Sequence, residues 1–321
     1  MTESYLVTGA TGALGSAVAH RLHGEGKRLR VFIRNPDKFR RLLPDVAATT
    51  EIVVGDILDA AKMREAAEGA RFIFHCVGFP LAQFERLPQS TENLLGAAPQ
   101  GAHIVYPGNS HVFGIPQYSP VDAAHPHNPT CLVAQIKSQT DEMLLRAYGN
   151  RGIPTTVVHL PDFYGPRVTN QLMRSLFQDG LKGKTTRLPF PIDTPHQYIH
   201  VDDAARALIA VAGQEKACGH AYTVPAVDSI TLRDFSALIH GLAGTKGGMA
   251  SLPSFFLSLA GLFSTEIRRA KGIMYTFTHT IVMDGAQMKA DFGFTPEIGY
   301  EEGIKDTLEW FRTQFGRHRG L

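Results

Sequence analysis

Three glycines spaced through "TGATGALG" (residues 8–15) stand between a short apolar run and a helical pattern. That placement suits a phosphate cradle. Gly9 permits a tight turn, Gly12 lets the backbone approach a pyrophosphate, and Gly15 allows close contact between helix and sheet. The backbone at Thr11, Ala13 and Leu14 then sits at a helix N-terminus, where free N–H groups and the positive dipole end attract anionic oxygen. A three-glycine pattern alone is weak, because turns use glycine freely. Between a first strand and a first helix it is specific, and a dinucleotide is the expected ligand.

The next residues to carry chemistry lie in "FIRNPDK" (32–38), with Arg34 at a strand end and Lys38 one helical turn on. NAD sites place an acid there for the ribose 2′-hydroxyl, whereas an arginine suits the 2′-phosphate of NADP. A guanidinium holds phosphate through two parallel hydrogen bonds. NADP is therefore the expected cofactor, with NAD as the alternative and a solvated surface arginine as the bland reading.

These groups need strands and helices in alternation to hold them. "YLVT" (5–8), "LRVFI" (29–33), "EIVV" (51–54), "FIFHCV" (72–77), "HIVY" (103–106) and "TTVVHL" (155–160) are short runs of apolar and β-branched residues. Near-continuous runs of this kind suit a parallel sheet covered on both faces. Helix-like stretches at 13–23, 59–68, 90–98 and 130–148 separate them. The expected fold is α/β, a doubly wound parallel Rossmann sheet, with a smaller discontinuous C-terminal substrate region. Residues 1–163, with about 196–213, are expected to form the dinucleotide-binding part. Residues of about 164–195 and 214–321 are expected to form mainly the substrate region, some segments packing back on the sheet. Its helices are expected at 168–181, 231–243, 253–278 and 300–315.

The whole-chain numbers exclude several classes. With 321 residues, 44% hydrophobic and 19% charged, the chain has the composition of a soluble globular protein. A net charge of +2 without a long basic run argues against a nucleic-acid partner. Cys76, Cys131 and Cys218 are odd in number and far apart, which suits a reducing cytoplasm rather than a disulfide framework. "MTESYLVTGA" lacks the marks of a signal peptide, and "LPSFFLSLAGLF" (252–263) is too short to span a bilayer. That segment reads as a core helix or a flap over a pocket, and no membrane partner is expected. Monomer and homodimer are both left open.

With "GDILD" (55–59) after the third strand, the chain resembles the extended short-chain dehydrogenase/reductases, which include NAD(P)-dependent epimerases, dehydratases and related reductases. "FHCVG" (74–78), "TENLLGAA" (91–98), "NSHVFG" (109–114), "LPDFYGPR" (160–167) and "YIHVDDAARAL" (198–208) follow in the family's order, so the resemblance spans nearly the whole chain. It implies that Asp56 and Ile57 contact the adenine, and that Val77 lines the cofactor cleft. It implies further that Lys137 holds the nicotinamide ribose and lowers the pKa of a neighbouring phenol. The backbone of Pro161 to Phe163 would cover the nicotinamide. Independently, a lysine on a helix beside the C-terminal end of a strand is well placed for a cofactor ribose.

The departure lies in "VAQIK" (133–137), where the family's catalytic tyrosine position holds Val133. The family's hydroxyl position falls on Asn109, with Ser110 beside it. Asn109 can orient an oxygen but cannot supply a proton. His111 titrates near neutral pH and would share a face with Asn109 if the strand continued. Tyr164, in "FYGP", is expected near the substrate cleft. The bland readings are a loop histidine for His111 and packing against the second region for Tyr164. His196 and His200 lack a carboxylate–histidine pattern at helical spacing, so no metal is expected.

Three functions remain open. The leading expectation is an NADP-dependent oxidoreductase of a small carbonyl or alcohol with an atypical proton donor. The second is a sugar-nucleotide epimerase or dehydratase, for which Arg167, Lys182, Lys184 and Arg187 are candidate diphosphate-binding cations. The third is a non-catalytic NADP(H) sensor. Phe79, Phe84, Phe113, Phe163 and Phe190 fit either an apolar substrate or the core.

Overall fold

The computed structural model describes residues 3–252, 272 and 274–318. The first half alternates β1 (Ser4–Thr8), α1 (Ala13–Gly24), β2 (Arg28–Ile33), α2 (Pro36–Leu42), α3 (Pro44–Thr49), β3 (Glu51–Val54), α4 (Ala60–Ala67), β4 (Phe72–His75), α5 (Leu87–Ala97), β5 (His103–Asn109), α6 (Leu132–Arg151) and β6 (Thr155–Leu160). Polar side chains start the helices: Asn35 accepts the Lys38 N–H ahead of α2, and Asp59 accepts those of Ala61 and Lys62 ahead of α4. The second half continues with β7 (Asp162–Tyr164), α7 (Gln171–Lys182), β8 (Thr186–Leu188), β9 (His196–His200), α8 (Val201–Val211), β10 (His220–Thr223), β11 (Ser229–Ile230), α9 (Leu232–Ala243), β12 (Met249–Ser251), α10 (Ala286–Phe292) and α11 (Tyr300–His318).

Seven strands form one parallel sheet in the order β10-β6-β5-β4-β1-β2-β3. The order reverses between β1 and β4, and a ligand crevice is expected at the carboxyl ends there. Every strand expected from the sequence is present. The seventh, "HAYT" at β10, was not expected, because it is short and its outer residues are polar.

Alternating side chains fill two layers. Val7, Val31, Phe74, Val105 and Val158 pack with Val18 and Leu22 of α1 and Leu208 of α8. Leu6, Ile73, Ile104 and Val157 pack on the other face with Met63, Leu94 and Leu144. Each such buried side chain contributes about 1.5–3 kcal/mol relative to exposure. The first core continues without a break into the C-terminal region, where Phe177 stacks on Phe311 at 5.4 Å and meets Phe235 edge-on at 6.1 Å. These rings join α7, α9 and α11.

The expected helix at 253–278 lies mostly outside the described residues, and Met274–Phe277 is a 3₁₀ turn. "LPSFFLSLAGLF" likewise lies outside them beyond Leu252. Among the described residues, no helix is long and apolar enough to cross a membrane.

Candidate functional site

A cleft of about 870 Å³ runs along the carboxyl edge of the sheet, from the glycine turn to the end of β5. Gly9 has φ of +72°, and a Cβ there would stand 2.5 Å from the Cys76 carbonyl oxygen. A Cβ at Gly15 would stand 2.5 Å from the Gly9 carbonyl oxygen. Both glycines are therefore demanded by backbone packing, and Gly15 supports the turn without lining the cleft. Gly12 starts α1 with no side-chain cap, and no acid occupies the first helical turn. The free N–H groups there and the dipole end are left for an anion. Thr11, Ala13 and Leu14 line the same wall.

Around this turn the other strand ends contribute their loops. Arg34 and Lys38 line the cleft after β2, both exposed and, among the described residues, outside any ion pair. Asp56 and Ile57 line it after β3; Asp56 Oδ1 accepts the Leu58 N–H at 3.0 Å, and the Ile57 carbonyl accepts from Asn93 at 3.0 Å. Val77, Gly78 and Phe79 line it after β4, and nothing lies within 4 Å of where a Gly78 Cβ would be. Cys76 shares this wall, but burial pushes its thiol up to about 12, so it carries no thiolate chemistry.

The far end of the cleft collects Asn109, His111, Lys137, Asp162 and Phe163. Asn109 Oδ1 accepts the His111 N–H at 2.9 Å, which ends the strand and starts a 3₁₀ turn over Ser110–Phe113. The extended geometry assumed for His111 therefore stops at Asn109, yet the turn still brings the imidazole to the cleft. His111 Nε2 lies 3.9 Å from Asp162 Oδ1, and Nδ1 is buried without a hydrogen-bond partner. Burial holds His111 down to about 4; the Asp162 charge pulls it up, while Lys137 and His196 push it down. Lys137 is lowered by burial, against which Asp162 and Asp141 hold it up.

Asp162 was missed from the sequence as a side chain. It stands inside "LPDFYGPR", between Pro161 and Phe163, which were taken only as backbone neighbours of the nicotinamide. An acid in a loop directly after a strand's carboxyl end was the available signal. Pro161 itself is buried and does not line the cleft.

Several expectations need correction. Tyr164 is not at the cleft: it is 0% exposed, packs on Phe235 and His200 with ring centroids 5.2 and 5.3 Å away, and donates to the Gly299 carbonyl. Tyr164 enters the core of the second region, while its neighbours Asp162 and Phe163 line the cleft. Val133 is 5% exposed and does not line the cleft either; Phe84, Leu87 and Ile136 enclose it. Arg167 donates to Ser16 Oγ at 2.9 Å and lies 3.8 Å from Asp202, so its charge is engaged. Lys182, Lys184 and Arg187 do not line the cleft; Thr169 and Asn170, at the start of α7, do. Of the aromatics, Phe79, Phe84 and Phe163 line it, whereas Phe113 is core and Phe190 stacks on Phe277 at 4.1 Å.

Comparison with known proteins agrees with this architecture. The chain is 24% identical to UDP-N-acetyl-alpha-D-glucosaminuronate decarboxylase of Bacillus cytotoxicus over 97% of this chain and 98% of that protein. The dTDP-glucose 4,6-dehydratase of Bacillus anthracis, solved in complex with NAD, superposes with a TM-score of 0.79 at 17% identity, covering 97% of each chain. The UDP-glucose 4-epimerase of Thermotoga maritima, solved with UDP-glucose, superposes with a TM-score of 0.80 at 18% identity over 97% of this chain and 99% of that one. At those identities the two structures speak to the fold alone. The family model for the NAD dependent epimerase/dehydratase family matches residues 5–224, and with the glycine turn at the switch point of a parallel sheet, the chain belongs to that family.

Proposed function

We propose that the protein is an NAD(P)-dependent oxidoreductase acting on a sugar nucleotide, with His111 rather than a tyrosine exchanging the proton with the substrate oxygen. One observation carries the reading. Asn109, His111, Lys137 and Asp162 converge at one end of the cleft whose other end is the glycine turn. The names of the relatives favour a sugar nucleotide over the small carbonyl or alcohol first expected.

The chain's residues fit a dinucleotide. The uncapped start of α1 suits the pyrophosphate, and the open backbone at Gly78 leaves room beside it. Exposed Arg34 and Lys38 support a 2′-phosphate, hence NADP in preference to NAD. Bound there, the nicotinamide supplies hydride chemistry. During oxidation, His111 Nε2 takes the proton of the substrate hydroxyl, and the imidazolium formed faces Asp162 across 3.9 Å. During reduction the same atom returns the proton to the oxygen. Asn109, whose Oδ1 is committed to the His111 N–H, has its amide N–H₂ for the substrate oxygen. Lys137 contributes positive charge at the ribose. For the substrate's diphosphate, Lys182, Lys184 and Arg187 lie off the cleft, and the polar Thr169 and Asn170 line it instead.

The enclosure of Val133 by Phe84 and Leu87 favours a second reading, an NADP(H) sensor with no turnover. One experiment separates the two. The protein is incubated with NADP⁺, NAD⁺ or the reduced forms and a panel of UDP- and dTDP-sugars, following nicotinamide absorbance and products by mass spectrometry. Turnover that collapses in His111→Gln supports the enzyme. Tight NADPH binding with no turnover on any member of the panel overturns it in favour of the sensor.

A further inference from the structure

Behind the cleft, His127 from the loop before α6, Asp141 from α6 and His159 from β6 bring one potential ligand atom each within 4.8 Å of one another. Asp141 is fully buried, and neither carboxylate oxygen has a hydrogen-bond partner. His159 is also buried; its ring is hydrogen-bonded to the backbone of Asn109, and Nδ1, the nitrogen left without a partner, lies 3.9 Å from Asp141 Oδ2. The His127 ring is fixed from its other side, Nδ1 to Ser138 Oγ at 2.8 Å. Phe113 closes the cluster edge-on, 5.6 Å from the His127 ring and 4.9 Å from that of His159.

Both Asp141 carboxylate oxygens and His159 Nδ1 are thus buried without a hydrogen-bond partner. The Asp141 carboxyl and the His159 ring are buried and the His127 ring half-buried beside them, and no hydrogen bond or ion pair joins Asp141 to Lys137 one turn earlier. Buried lone pairs left this way are costly, and a cation between them removes the cost. Two imidazoles with a carboxylate form a set that suits zinc and its first-row neighbours. Ser138 and the Asn109 backbone act as the outer partners that orient ligating rings. Tetrahedral ligands about 2.1 Å from zinc stand about 3.4 Å apart, so ligand atoms now within 4.8 Å of one another, Asp141 and His159 at 3.9 Å among them, must close by up to about 1.4 Å on binding. The other cluster of this kind among the described residues, His200 with Asp202 and Asp306, already faces Arg167 and has half-exposed carboxylates.

We propose that His127, Asp141 and His159 bind one divalent transition-metal ion, zinc in the first instance, which ties the loop before α6 to α6 and β6 behind the cofactor cleft. No metal was expected from the sequence, because the three ligands are far apart there and meet only through the fold.

Untagged full-length protein tests this directly. Metal content is measured by elemental analysis after gel filtration, and Zn²⁺ binding by calorimetry on chelator-treated protein. One zinc per chain is expected. Asp141→Asn should weaken binding at least 100-fold. Ser138→Ala, which keeps all three ligands, should weaken it about 10- to 100-fold. His279→Ala, at an exposed histidine outside the cluster, should leave it unchanged. Co²⁺ in place of Zn²⁺ should give visible ligand-field bands that Asp141→Asn abolishes. Circular dichroism checks the fold, and should Asp141→Asn misfold, Ser138→Ala alone decides. No zinc uptake by the wild type, or uptake with unchanged affinity in Ser138→Ala, overturns the proposal and leaves a proton on Asp141 as the cluster's cation.

Discussion

Replacing His111 by glutamine should remove proton exchange and leave the cofactor bound. The substitution keeps the local frame, because the hydrogen bonds that fix this residue are to its backbone: its N–H to Asn109 Oδ1 at 2.9 Å, and its carbonyl from the Tyr275 hydroxyl at 3.0 Å and the Gly114 N–H at 3.3 Å. A positioned acid–base group is worth about 10²–10⁴-fold in rate. That corresponds to about 3–5 kcal/mol of barrier. Asp162→Asn should cost less. At about 4 Å a unit charge is worth about 4 kcal/mol at an effective dielectric of 20 but about 1 kcal/mol in water. Since the Asp162 side chain is 46% exposed, the water-like figure applies, and a roughly five-fold loss follows.

The pH profile carries the sign. His111 sits at about 4, so its ring is neutral near pH 7 and ready to act as a base. The oxidation rate should be flat near neutrality and fall as pH drops toward 4. Asp162 raises that value, so Asp162→Asn should move the acid limb to lower pH. Steady-state kinetics in short assays after a pH jump, with NADPH binding measured in parallel, check both points. A His111→Gln enzyme with wild-type kcat, or an acid limb that moves upward in Asp162→Asn, would refute the assignment.

Other consequences follow from the same structure. NADP(H) should bind at least tenfold tighter than NAD(H), and Arg34→Asp should erase that ratio, since one charge-assisted contact is worth about 1.5–3 kcal/mol; equal wild-type affinities by calorimetry would sink the idea. Burial holds His75 and His103 down to about 4 each, below their ordinary 6.5. The unfolded chain takes up protons that these rings refuse, so stability is full above about pH 6.5 and is lost as pH falls toward 4, by at most about 3 kcal/mol per ring. The urea midpoint should fall across that window, and a flat profile would contradict the assignment. Val133→Tyr should destabilise the fold by about 1–3 kcal/mol without raising NADPH oxidation, because Phe84 and Leu87 already fill the space; a faster and equally stable variant would show the position open.

The glycine-turn end of the cleft was legible because its lining is local in sequence. The turn at Gly9–Gly15, Arg34 and Asp56 each lie within a few residues of a strand end, and runs such as "FIFH" announce those strands by composition. What escaped depends on contacts between distant segments. Tyr164 and Phe163 are neighbours in sequence, yet one enters the core beside Phe235 and the other the cleft, a choice made by the pairing of β7 with β9. Val133 shows the same limit from the opposite side. Its spacing from Lys137 singled the position out, but not what packs around it. Here Phe84 and Leu87, from the start of α5 and the turn before it, close over the valine. The α6 side is thus apolar around Val133, while titratable groups gather on the other side, where Asn109 turns His111 into the cleft opposite Asp162. On the proposed reading, that division puts the proton exchange on the titratable side, where a buried imidazole faces a carboxylate at the same end of the cleft.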